Sequence, residues 1–188
     1  MDLDILYSDY LGEVDSLNLK PTNHVLIASV TDQRINLYLN GKIVKAYPMS
    51  SSKRESSCKE DSLGTPWGLH EVCEKIGSGE DLGTVFVGRV SIGLRYWECE
   101  KEKRDGNLIT TRILRLKGLQ DGVNLGGRVD TYNRYVYVHG TNHEDRLGTP
   151  SSSGCLQMGN RDVSELFDLV PLRTHLFITL PLKKESNS

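Results

Sequence analysis

The sequence predicts a mostly-β single domain, sandwich-like or barrel-like, with one or two short helices. Three observations carry this. Residues 24–30 (HVLIASV) form an unbroken apolar run of strand length. Residues 34–49 alternate apolar and polar on both sides of Asn40-Gly41, a pair that suits a two-residue hairpin turn. Only one segment has strong helical spacing, with Val163, Leu166, Phe167 and Val170 on one face.

The elements follow in order. Residues 1–23 read as a polar lead-in with a short helix near its start. Strands follow at 24–30, across the Asn40-Gly41 hairpin, and into KIVKAYPMS. Residues 50–62 (SSSKRESSCKEDS) are Ser-rich and charged, which predicts an exposed loop. GTPWGLHEV is a turn entering a strand. GTVFVGRVS, residues 111–120 (TRILRLKGLQ) and YVYVHGT read as further strands. Asn160 is placed to cap the helix after it, and HLFITLPL closes the domain as a strand. The organisation is therefore a lead-in at 1–23, a domain at 24–182 and a tail at 183–188.

Bulk properties exclude several classes. The chain has 188 residues, 37% hydrophobic and 26% charged, with a net charge of −2. That is ordinary globular composition and gives no electrostatic reason for a nucleic-acid or membrane partner. The first 19 residues hold no Lys or Arg and no long apolar run, so they lack the pattern of a secretory signal, and a cytoplasmic location is expected. Four cysteines without a CxxC are too sparse for a disulfide scaffold and read as free thiols.

Chemistry concentrates in residues 136–160, VYVHGTNHEDRLGTPSSSGCLQMGN. His139 ends a hydrophobic strand, and Cys155 lies in a Ser-Ser-Ser-Gly-Cys turn. A thiol becomes a strong nucleophile when an imidazole takes its proton. Gly154 permits a tight turn at the sulfur, where main-chain amides can meet a developing oxyanion. Taken alone, a Cys and a His in one stretch are a weak signal that arises often by chance, and a buried free Cys is usually a small hydrophobe. His139, His143 and Cys155 offer too few ligands for a closed zinc site, and the i, i+4 histidines lie on a strand and loop rather than a helix. No metal and no cofactor are expected. His70 is expected to be structural, and His24 and His175 to lie at the surface or a strand edge.

His139-Gly140-Thr141 and Ser152-Ser153-Gly154-Cys155-Leu156-Gln157-Met158 resemble the signature of the L,D-transpeptidase (YkuD-like) family, His-Gly-Thr with Ser-His-Gly-Cys-Ile-Arg-Met. Upstream, residues 33–50 resemble its opening hairpin, and Gly64-Thr65-Pro66-Trp67-Gly68 its Thr-Pro turn. Downstream, Asn160-Arg161-Asp162-Val163 resembles the helix after its nucleophile. Glu74-Lys75-Ile76-Gly77, residues 83–89 and Asp130-Thr131-Tyr132 resemble the members without export signals, some of which are cytoplasmic L,D-carboxypeptidases.

The resemblance implies that Cys155 attacks a peptidoglycan stem-peptide carbonyl between the L-centre of residue three and D-alanine at position four. His139 is then the base, oriented by the Gly140 carbonyl, and amides at Ser153, Gly154 and Cys155 form the oxyanion hole. Gln157, Thr141 and Ser152 are implied on the substrate, a peptidoglycan-derived tetrapeptide or muropeptide. Two positions depart from the pattern: Ser153 replaces the usual His, and Gln157 the usual Arg. Restoring Arg at 157 is expected to change activity more than restoring His at 153. The expected activity is an L,D-carboxypeptidase of muropeptide recycling. The alternatives are an L,D-transpeptidase making 3-3 cross-links or exchanging D-amino acids, and an inactive wall-peptide-binding module. The resemblance leaves oligomeric state open.

Overall fold

A computed structural model describes residues 3–180. Helix α1 (Leu3–Ser16) precedes strands β1 (His24–Ser29), β2 (Arg34–Leu39), β3 (Lys42–Ser50), β4 (Gly68–Ile76), β5 (Thr84–Val87) and β6 (Val90–Arg95). A single turn of helix, α2 (Lys101–Arg104), leads to β7 (Ile109–Gly118) and β8 (Tyr137–Gly140). Strand β9 (Leu156–Met158), helix α3 (Asn160–Leu169) and β10 (His175–Thr179) complete the chain. The tail expected at 183–188 lies outside the described residues.

Hydrogen bonding runs β4-β10-β1-β2-β3-β9-β8-β7, and β7 pairs back onto β4, closing a barrel. The β5–β6 hairpin extends from β7 as a flange. The apolar run in β1 has both faces covered, which is why it lacks alternation. Leu26 and Ala28 face the main core with Leu114, Leu116, Val138, Leu156 and Leu176. Val25 and Ile27 face outward onto Leu6, Tyr10 and Val14 of α1.

The lead-in is thus more than a polar arm with a short helix. The spacing of Leu6, Tyr10 and Val14 turns one face of a 14-residue helix onto the barrel wall. Each side chain is essentially fully buried, worth about 1.5–3 kcal/mol apiece. The Tyr10 hydroxyl also meets the His175 Nδ1 at 3.0 Å. His175 is buried beneath the helix rather than at the surface. His70 is structural as expected: its Nδ1 meets the Gly68 carbonyl at 3.0 Å and its Nε2 the Thr131 hydroxyl at 3.1 Å.

Asn40 and Gly41 both adopt positive φ, at 49° and 79°, and make the β2–β3 turn. Three other expectations change. GTVFVGRVS is two strands, because Gly88 and Arg89 (φ 56° and 71°) reverse the chain between Val87 and Val90. The loop at 50–62 is only partly exposed. Ser51 and Ser52 are buried under the strand-to-loop segment at 151–153, and Cys58 is 3% exposed. Asn160 does not cap α3: Gly159 holds the cap position, without a side-chain cap bond.

Candidate functional site

Strands β8 and β9 lie parallel, with Val138 beside Leu156 and His139 beside Gln157. Val138 and Leu156 point into the main core. Alternation sends Tyr137 and His139 to the opposite face. There Tyr137, Phe86 and Ile113 form a second apolar cluster, and Cys155 packs against it. Cys155 immediately precedes β9 and His139 lies within β8, so the pairing brings the nucleophile candidate and the base candidate to neighbouring strands on one face.

The imidazole is fixed in one tautomer. His139 Nδ1 is 2.7 Å from the Gly140 carbonyl oxygen, which can only accept, so Nδ1 carries the proton and Nε2 holds a free lone pair. The ring is 3% exposed, and burial pushes its pKa down to about 4. Burial pushes the Cys155 thiol up to about 11, opposed by the Tyr137 amide and the Arg134 charge. The resting state is therefore a neutral thiol and a neutral imidazole. The Tyr137 N–H donates to Cys155 Sγ at 3.4 Å, and the thiol points its proton at the Tyr135 carbonyl, 3.6 Å away.

Gly140 is required by close approach. A Cβ there would lie 2.7 Å from the Thr110 carbonyl and 2.8 Å from Asn160 Oδ1. Asn160 itself is the hub behind the histidine. Its Nδ2 donates to the Thr141 carbonyl at 2.9 Å and to Glu144 at 2.7 Å. Its Oδ1 accepts from the Thr110 hydroxyl at 2.6 Å and from the Thr111 hydroxyl. The first residue of α3 thereby ties β7 to the chain leaving β8. Thr141 is fully buried in this network, where its hydroxyl accepts from the His143 amide at 3.1 Å.

The turn before Cys155 is held by Ser152, whose hydroxyl donates to the Cys155 carbonyl at 2.6 Å and accepts from the Gly154 amide at 3.2 Å. Gly154 has φ 124°, a value side chains rarely adopt. Of the three amides expected at an oxyanion hole, that of Gly154 is engaged by Ser152. Ser153 is exposed beside it. Gln157 is 2% exposed and accepts from the Ser151 hydroxyl at 3.0 Å, so it braces the turn from inside.

A cleft of about 300 Å³ opens at the thiol, with Glu60, Asp61, Asn133, Arg134 and Ser153 among its polar lining and Leu63, Tyr135 and Val136 among its apolar lining. Arg134 fixes one wall by donating to the Ser57 carbonyl at 2.9 Å and the Gly64 carbonyl at 2.7 Å. Tyr135 also lines the cleft, while Tyr137 and Phe86 of β5 belong to the apolar cluster that Cys155 packs against. Sequence reading singled out neither Arg134 nor Asn160 for the site. Asn160 at a helix start reads as a cap, and Arg134 as one solvated charge among many. All four cysteines are free thiols. Among the described residues no group of three metal-ligating side chains is gathered, and no helix is long and apolar enough to cross a membrane.

Comparison with known proteins bears on the fold and the family. The chain is 41% identical over 49 residues to YqjB of Bacillus subtilis strain 168, provisionally named an L,D-transpeptidase; the match covers 26% of this chain and 28% of that protein. It is 39% identical over 61 residues to YkuD of Bacillus licheniformis, also provisionally so named, covering 30% and 37%. These matches span well under half of either relative. Among solved structures, the fold resembles an L,D-transpeptidase from Mycobacterium smegmatis. The TM-score is 0.53 at 15% identity, covering 84% of this chain and 59% of that one. L,D-transpeptidase 3 from Mycobacterium tuberculosis, in complex with a faropenem-derived adduct, gives a TM-score of 0.53 at 15% identity, covering 84% and 60%. The family model for the L,D-transpeptidase catalytic domain, YkuD, matches residues 23–178, and the chain belongs to that family.

Proposed function

We propose that this chain is a cysteine acyl-transfer enzyme acting on peptidoglycan stem peptides, and that water is its acceptor. The observation that carries the chemistry is the His139 tautomer. With Nδ1–H bound to the Gly140 carbonyl, Nε2 is the ring's basic atom on the face shared with Cys155. Substrate entry displaces the thiol proton from the Tyr135 carbonyl and passes it to Nε2. The thiolate, still held by the Tyr137 amide, attacks the carbonyl of residue three. Amides of Ser153 and Cys155 meet the oxyanion. Collapse expels D-alanine, whose amine takes the proton from the imidazolium, and a thioester remains on Cys155. Water, deprotonated by His139, then releases the tripeptide acid and restores the thiol.

The cleft that opens at Cys155, with Glu60, Asp61, Asn133 and Ser153 in its wall, supports access of water to the thioester. This reading makes the protein an L,D-carboxypeptidase that trims soluble tetrapeptides, in keeping with a cytoplasmic place in muropeptide recycling. One observation favours an amine acceptor instead. The β5–β6 hairpin, whose Phe86 lies in the cluster that Cys155 touches, exposes Val87 (64%) and Val90 (68%), an apolar element that sequence reading missed and that can exclude water on folding over the site. Purified tetrapeptide incubated with excess D-methionine separates the two by mass spectrometry. Tripeptide with free D-alanine supports hydrolysis, and a D-methionine-capped product supports transpeptidation.

A further inference from the structure

Two residues link the nucleophile to Arg89, and one of them, Tyr135, also has Arg115 Cζ 5.3 Å from its ring. Tyr137 gives its amide to Cys155 Sγ and its hydroxyl to the Arg89 guanidinium, at 3.4 and 3.1 Å. The carbonyl of Tyr135 lies 3.6 Å from the same sulfur, and its ring lies 5.1 Å from Arg89 Cζ. The guanidinium is therefore placed over the aromatic pair that borders the thiol, at the tip of the β5–β6 hairpin.

Other cations near the thiol are already committed. Arg115 is buried, pairs with Glu74 at 3.0 Å, donates to the Tyr132 carbonyl at 3.1 Å and lies 3.4 Å over the Tyr132 ring. Arg134 is held by the carbonyls of Ser57 and Gly64. Position 157, where the family resemblance led us to look for Arg, holds a buried Gln braced on Ser151. Among the described residues no carboxylate lies within ion-pair distance of Arg89. Its backbone sits at φ 71°, in a hairpin position that glycine or asparagine fills most easily. A long cationic residue kept there against backbone preference points to a use for its side chain.

We propose that Arg89 and the Tyr137 hydroxyl together bind a free carboxylate on the acyl-donor peptide, making this chain selective for donors that carry one beside the scissile carbonyl. Because the Tyr137 oxygen accepts from Arg89, its O–H is left to donate, and a guanidinium with a neighbouring hydroxyl matches the two oxygens of a carboxylate. This specificity rests on the acyl-transfer reading given above.

The test uses two tetrapeptides that differ only in the side-chain carboxylate of residue three, one free and one amidated. Binding is measured to the full chain carrying Cys155→Ala, and turnover with the unaltered chain. The free acid is expected to bind about ten-fold more tightly than the amide, as for loss of one charge-assisted bidentate contact. Arg89→Gln should bring that ratio to about one, Arg89→Lys should restore part of it, and Tyr137→Phe should lower it. The turnover effect should fall on KM rather than kcat. Equal binding of the two peptides, or a ratio unmoved by Arg89→Gln, overturns the proposal. Discrimination in binding without turnover by the unaltered chain upholds the carboxylate site and defeats the acyl-transfer reading. Turnover without discrimination does the reverse, and absence of both binding and turnover overturns both.

Discussion

His139 and Gly140 are joined by a hydrogen bond from the imidazole Nδ1–H to the carbonyl of the next residue, at 2.7 Å. This local bond fixes which ring nitrogen is basic, and Asn160 fixes the carbonyl by leaving no room for a side chain at Gly140. Gly140→Ala should therefore displace the carbonyl and the ring. A Cβ 2.7 Å from the Thr110 carbonyl costs about 1–3 kcal/mol of stability. Activity should fall by about a hundred-fold or more, since misplacement by an ångström carries that cost. Denaturant unfolding and steady-state rates on one preparation check both effects.

Asn160→Ala should act through position as well. It removes the donor to the Thr141 carbonyl and leaves the buried Thr110 and Thr111 hydroxyls without their shared acceptor. About 1–3 kcal/mol of destabilisation follows for a buried group left unpaired. Asn160→Asp keeps the acceptor for the threonines but sets a buried carboxylate against Glu144, where the Nδ2 donor stood at 2.7 Å. It should be at least as destabilising as Ala at neutral pH, and recover in acid as Glu144 and the introduced carboxyl share a proton. Thermal unfolding of both variants decides this.

Acid should destabilise the protein through its buried histidines. His70 and His139 are both pushed down to about 4 by burial, from 6.5. Between those values the unfolded chain binds protons that the folded chain refuses, so falling pH favours unfolding. Each contribution is complete above pH about 6.5 and lost near pH 4, and is worth up to about 3 kcal/mol. Urea midpoints across pH 4–7 should fall steadily with acidity. A His70→Gln variant, though less stable at neutral pH, should show a shallower slope. An unchanged slope would remove His70 from the account.

Gln157→Arg should damage the protein rather than improve it. The sequence pattern alone made restoring this Arg attractive. In the structure the side chain at 157 is 2% exposed and bonded to Ser151, so Arg there buries a charge without a carboxylate to pair it, and several kcal/mol are at stake. Ser153 is exposed, and Ser153→His should be tolerated within about 0.5 kcal/mol. Comparing the unfolding midpoints of the two variants tests the contrast.

What the sequence made legible was what local patterning controls. The apolar run of β1, the Asn40-Gly41 turn and the amphipathic face of α3 all follow from spacing and turn chemistry. The pairing of His139 with Cys155 came from motif resemblance, because parallel pairing of β8 and β9 is a long-range property that no local pattern displays. Barrel closure through β4 and β7 was hidden for the same reason. Exposed Ile5 and Leu11 blur the Leu6–Tyr10–Val14 stripe of α1, so that helix read as a minor lead-in. The β5–β6 hairpin was missed because Gly88-Arg89 interrupts an alternation that otherwise continues through it. Gln157 looked accessible because sequence cannot tell which face of a three-residue strand is covered.

The proposed mechanism turns on a thioester between Cys155 and the stem peptide. The most direct measurement is intact-protein and peptide mass spectrometry of the chain mixed with a purified tetrapeptide muropeptide. The expected result is a tripeptide adduct mapped to Cys155 after rapid acid quench, release of tripeptide and D-alanine on longer incubation, and neither with Cys155→Ala. An unmodified Cys155 with intact tetrapeptide after prolonged incubation at neutral pH, or conversion that persists in Cys155→Ala, would contradict it.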